Sequence, residues 1–152
     1  MGEQVSENNG GVFMDLIVTS VYAFLGVILM IVGNMMVDLI IPGKFPEEIK
    51  KGNMAIGCIM AAISISVGII FKSAVMSPSS ETVKLSLIQD LGVVSIYFIL
   101  GMLICMVGYL MILFFYRKLE LNEEILKGNM AAGLVVAGLF IGLATIISGA
   151  IA

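Results

Sequence analysis

The residues of this chain that could do chemistry are few, and they come in pairs. Asn53 lies in the stretch Glu47-Glu48-Ile49-Lys50-Lys51-Gly52-Asn53-Met54-Ala55-Ile56-Gly57. That stretch returns as Glu123-Glu124-Ile125-Leu126-Lys127-Gly128-Asn129-Met130-Ala131-Ala132-Gly133, with nine of eleven positions identical at an offset of 76. Asp15 and Tyr22 recur as Asp90 and Tyr97 at an offset of 75. A carboxylate with a phenol beyond it on one helix face could bind an ion; a carboxylate at a helix N-terminus is also what the helix dipole favours. A carboxamide where a helix enters a bilayer can contact a ligand, or it can bond a neighbouring helix. If Asn53 and Asn129 mark equivalent points about one axis, they are placed to bond each other across it. Gly57 and Gly133 follow four residues on, where a small residue lets two helix backbones approach closely.

What is missing narrows the chemistry further. Histidine is absent, which removes the commonest metal ligand and the usual general base. Cys58 and Cys105 sit in long apolar runs and read as small buried hydrophobes, and the twelve methionines are scattered as adaptable packing. No Ser-His, Asp-Asp or metal-ligating constellation is apparent, so neither an enzyme nor a metal or other cofactor is expected. Two tandem hairpins suggest the proteolipid rotors of rotary ATPases, but those depend on a carboxylate at mid-membrane. The centres here are Ile63-Ser64-Ile65 and Leu139-Phe140-Ile141, which excludes a proton pathway of the usual kind. A net charge of −3 with no basic tract excludes nucleic acid as a partner.

The elements that must position these residues follow from hydropathy. The chain of 152 residues is 60% hydrophobic and 12% charged, about half the charge of a soluble domain. Crossing a bilayer takes about 20 apolar residues as a helix, and windows 16–37, 52–71, 91–116 and 128–152 are free of charge. The start, Met1 to Asp15, holds Glu3 and Glu7 without a basic residue, so no cleaved signal is expected. The fold class is therefore all-α, an integral membrane four-helix bundle of two tandem two-helix repeats. Repeat 1–76 carries helices at about 13–38 and 47–74, and repeat 77–152 carries helices at about 88–116 and 123–151, the last with Asn122 as its N-cap. Ser77 to Thr82 divides the repeats. Both copies share one topology, which predicts a pseudo-twofold axis along the membrane normal.

At 100° per residue, Asp15, Tyr22, Gly26 and Gly33 fall within about 20° of one line, as do Asp90, Tyr97, Gly101 and Gly108. Asn53, Gly57, Ala61 and Gly68 match Asn129, Gly133, Ala137 and Ala144 in a small-residue pattern. Lipid asks only for apolar faces, so these lines read as protein-packing surfaces. Beyond the lipid bilayer, the expected partners are further copies in a homo-oligomer or other membrane subunits. Lys44, Lys50, Lys51, Arg117, Lys118 and Lys127 lie on one side against Lys72 and Lys84 on the other. The positive-inside rule then puts both repeated motifs in the cytoplasm and both termini outside.

The elements Asn53-Met54-Ala55 and Asn129-Met130-Ala131-Ala132, each opening a Gly/Ala-rich helix, carry a family resemblance. The chain resembles the YjfL-like small inner-membrane proteins, classed as domain of unknown function 350, over essentially its whole length. Ile56 stands where the pattern has a second alanine. The resemblance implies a multi-pass protein of the cytoplasmic membrane of a bacterium or archaeon and brings no catalytic residues with it. The sequence thus points to a non-enzymatic structural or accessory membrane module that assembles; the alternative is a small ion channel or transporter.

Overall fold

The computed structural model describes residues 2–77 and 86–151, with side chains from residue 11 onward. Most of the expected dividing segment, 78–82, lies outside the described residues. Among these residues six α-helices follow in order: α1 (Gly2–Asp38), α2 (Phe45–Lys50), α3 (Met54–Val75), α4 (Leu87–Phe115), α5 (Leu121–Leu126) and α6 (Met130–Ile151), with a 3-10 turn at Arg117–Leu119 before α5. Helices α1, α3, α4 and α6 are each long and apolar enough to cross a membrane. Helix α1 starts at Gly2, well before residue 13.

Each helix expected after a motif loop is in fact two. The stretch 47–74 divides into α2 and α3, and 123–151 into α5 and α6, both at the Gly-Asn of the repeated motif. The cause is backbone chemistry. Gly52 and Gly128 have φ of +78° and +80°, a left-handed conformation that glycine adopts without a Cβ penalty and that ends a helix. The amides of Gly52 and Asn53 return to the carbonyls of Ile49 and Glu48, both at 3.0 Å; those of Gly128 and Asn129 return to Ile125 and Glu124 at 3.0 and 2.9 Å. This is the Schellman closure in both copies. Two acids in the first turn of α2 and of α5 suit the positive end of each helix dipole.

The two hairpins, α1–α3 and α4–α6, pack internally in the same register. Gly33 lies under Val67 and Gly26 under Phe71, while Gly108 lies under Leu143 and Gly101 under Ile147, with Ile70 of α3 closer still over Gly101. These pairs are equivalent at the repeat offsets. Between hairpins, α3 and α6 make the most extensive contact, with α4 set against both. Helix α1 rests on α3 and α4 and has no comparable contact with α6. Backbone meets backbone at Gly133, where a Cβ would come within 2.6 Å of the Ala55 Cα.

The hairpins do not meet by the same faces. Helix α3 buries Ala55, Ile59, Ala62, Ser66, Ile70 and Ser73, yet their counterparts on α6, Ala131, Val135, Gly138, Gly142, Ile146 and Gly149, are all exposed. Conversely α6 buries Gly133, Ala137 and Ala144, whose counterparts Gly57, Ala61 and Gly68 are half-buried or exposed. A twofold axis would bury the same positions of both helices. The contact is instead head-to-tail, the small-residue face of α6 lying on the other side of α3's pattern.

This geometry makes the two glycine classes behave differently. Replacing Gly133 with Ala forces the α3 and α6 backbones apart and is expected to cost about 1–3 kcal/mol by overpacking. The change Gly138→Ala, in open space, should cost nothing and gain about 0.5–1 kcal/mol through helix propensity. Thermal unfolding of both variants in one detergent checks this, and equal losses would contradict the crossing point.

Candidate functional site at the meeting of the repeated motifs

The polar side chains of the two motifs converge on one side of the bundle. Asp38 Oδ1 accepts from the amide of Phe45 at 2.8 Å, holding the start of α2 against the end of α1. Asn53 then closes the break between α2 and α3. Its Oδ1 accepts from the Ile56 amide at 3.2 Å as an N-cap. Its Nδ2 donates to Glu48 Oε2 at 3.0 Å and to the Ile125 carbonyl at 2.9 Å. One buried amide therefore caps α3, fixes the acid of α2, and ties hairpin 1 to α5 of hairpin 2.

Glu48 is the partner that makes this arrangement stable in a half-apolar setting. Its side chain is only 10% exposed and takes an ion pair from Lys51 Nζ at 2.6 Å. The bonds from Lys51 and then Asn53 hold the Glu48 carboxyl below its ordinary value of 4.5, against the opposing effect of burial. Glu48 holds the Lys51 ammonium up in return. The second copy repeats the triad: Glu124 accepts from Asn129 at 2.6 Å and from Lys127 at 3.0 Å, and these bonds lower its pKa in the same way.

Position separates the two triads. Asn129 is exposed, and its Oδ1 accepts from the Ala131 amide at 3.0 Å. Its Nδ2 bonds Glu124 alone among the described residues. The expected pairing of Asn53 with Asn129 is not formed. The offset faces of the hairpins bring Asn53 to the carbonyl of Ile125 and beside Gly128, leaving Asn129 on the far side. Between the motifs lies a polar cleft of about 290 Å³ lined by Glu48, Lys51, Gly52, Asn53, Leu126, Lys127 and Gly128. It holds paired charges and amides but no nucleophile with a base beside it.

The other sequence candidates are spread through the bundle. Tyr22 on α1 donates to Asp90 Oδ2 on α4, joining the first helices of the two repeats. Asp90 Oδ1 is buried and has no partner among the described residues. The reciprocal bond, Tyr97 to Asp15, is not made; Asp15 is exposed and Tyr97 half-buried. Gly57 has only Ile49 Cδ1 nearby, at 3.8 Å from where its Cβ would stand, whereas Gly133 is at the helix crossing.

Several polar bonds escape the sequence reading. Asn122 is not the N-cap of the last helix; it lies inside α5 and accepts from Tyr109 at 2.5 Å. Glu120, in a left-handed conformation at φ +43°, precedes α5 instead. Asn34 donates to Ser64 at 3.3 Å, and Ser73 bonds Ser148 across α3 and α6. A signal was available for the first two: Asn34 and Tyr109 stand at equivalent positions, 75 apart, each a polar group directly flanked by glycine and an apolar residue.

The family model described as Domain of Unknown Function (DUF350) matches residues 11–152. A UPF0719 transmembrane protein of Aquifex aeolicus (strain VF5) is 26% identical over 134 residues, which is 88% of this chain and 48% of that protein. The chain thus spans about half the length of that relative. No solved structure matches.

Two outcomes follow from the unequal triads. Asn53→Ala uncaps the Ile56 amide, takes the cross-hairpin donor from the Ile125 carbonyl and leaves one Glu48 oxygen without its donor, and is expected to cost about 1–2 kcal/mol; Asn129→Ala, at an exposed site, should cost clearly less, as read by thermal unfolding in detergent. Because the folded pKa of Glu48 is depressed, its contribution is complete above the unfolded value near 4.5 and is lost as pH falls through the folded value. Glu48→Gln should therefore flatten the acid side of the stability profile, and an unchanged slope would show that the triad is not formed.

Proposed function

The chain belongs to the DUF350 family, and from that premise we propose that it is a non-enzymatic multi-pass membrane module that assembles with itself or with other membrane subunits. The observation that carries this reading is the use of Asn53. The one buried amide of the repeated motif is turned inward, its donors bonded to Glu48 and to the backbone of the other hairpin, which is a structural role. In this reading the module resides in the cytoplasmic membrane of a bacterium or archaeon. The excess of basic residues beside the motifs supports an orientation with both motifs in the cytoplasm and both termini outside.

A second reading, a small channel or transporter, is favoured by one group. Asp90 keeps a buried, unpartnered carboxylate oxygen beside Tyr22, and such a group within a membrane protein is an ion-path candidate. Flux into liposomes across a panel of ions separates the two. The module reading expects no selective flux; selective flux abolished by Asp90→Asn would overturn it.

Orientation has its own check. In a cysteine-free background, Lys44→Cys should resist an impermeant thiol reagent on intact cells while Ser86→Cys reacts, both side chains being exposed. The reverse pattern would invert the topology.

A further inference from the structure

The head-to-tail contact between the hairpins leaves both of its halves unused at opposite ends of the molecule. Call face A the set that α3 buries, represented by Ala55, Ala62, Ser66 and Ser73, and face B the set that α6 buries, Gly133, Ala137 and Ala144. On a helix the two sets point in roughly opposite directions. Face A of hairpin 1 receives face B of hairpin 2, with Ala55 under Gly133 at the crossing. Hairpin 2 still carries a free face A: Ala131, Gly138, Gly142 and Gly149 are exposed, and the three glycines have open space around them. Hairpin 1 still carries a free face B: Ala61 is exposed and Gly68 meets nothing.

We propose that a second copy of this chain docks its α3, through Ala61 and Gly68, onto the exposed α6 face at Gly138 and Gly142, repeating the contact that joins the two hairpins. The proposal rests on the self-assembly reading and names its surface. Polar groups on the motif side support the same register. Asn53 donates across hairpins to the Ile125 carbonyl, and Gly128 lies beside it. Their counterparts are all free to do likewise between copies. Asn129 has a donor with no cross-hairpin partner, Gly52 has open space where its Cβ would stand, and the Ile49 carbonyl accepts from the Gly52 amide with a lone pair to spare. At the other end Lys72 stands where Ser148 does, opposite Gly149 in place of Ser73; glycine leaves room for the lysine stem, whose ammonium reaches the interface. The Aquifex aeolicus relative is about twice as long as the segment it shares with this chain, which is room for two further hairpins in one polypeptide. A heterologous contact builds a ring or an open row, not an isolated twofold dimer.

The test uses two variants, Ala61→Phe on face B and Gly138→Phe on face A, both at exposed sites, with wild-type helicity and melting required of each. Native mass in nanodiscs is the readout. Wild type is expected above the monomer mass, each variant alone should fall to a monomer, and an equimolar mixture should form a dimer, because each variant keeps the face that the other lacks. Loss of assembly in Gly138→Phe but not in Ala61→Phe would mean a symmetric α6 pairing and overturn the proposal. Variants that both retain the wild-type mass would overturn the surface while leaving self-assembly standing. A wild type that is monomeric overturns it as well, leaving only assembly with other subunits.

Discussion

A helix that stops and restarts at a membrane surface leaves two sets of backbone groups without partners: the last carbonyls of the first helix and the first amides of the second. Groups bonded within the protein make the break independent of what surrounds it. The Gly-Asn pair does this in two steps. Glycine takes the left-handed turn that returns amides to the carbonyls of the short helix, and asparagine accepts from the amides of the long one. Everything on this side of the bundle depends on that turn. The short helices α2 and α5 lie where it puts them, and the Glu-Lys pairs brace it from behind.

The same turn explains why the two copies diverge in use while staying alike in sequence. Both triads form, so the local fold needs no help from the neighbouring hairpin. What differs is the second donor of the amide. In hairpin 1 it reaches a carbonyl of hairpin 2; in hairpin 2 it has no carbonyl partner among the described residues. An identical local motif thus carries a tertiary bond in one setting and none in the other, because hydrogen-bond capacity is a property of the residue and its use is a property of the packing.

That distinction also marks what the sequence could disclose. Four long apolar helices and the family were legible, since hydropathy and short motifs are local properties of the chain. The glycine stripes of α1 and α4 were legible as packing lines for the same reason, and they lie on α3 and α6. The helix breaks at Gly52 and Gly128 were not seen, although an Asn after a Gly is a stop followed by a start; continuous apolar character outweighed it. The pairing of Asn53 with Asn129 failed for a different cause. Equivalence in sequence becomes facing in space only about a closed twofold, and the hairpins do not meet by the same faces.

Residue choices on α3 and α6 show how the two settings are sustained. On α3 the buried face carries Ser66, which bonds the Ala62 carbonyl at 2.8 Å, and Ser73, which bonds Ser148. On α6 the matching positions are Gly142 and Gly149, with Gly138 in place of Ala62. Each exposed glycine forgoes roughly 0.5–1 kcal/mol of helix stability relative to alanine. A face that met only lipid would gain from alanine or leucine at all three sites. The three glycines leave the uncovered face of α6 without side chains where the covered face of α3 carries Ala62, Ser66 and Ser73.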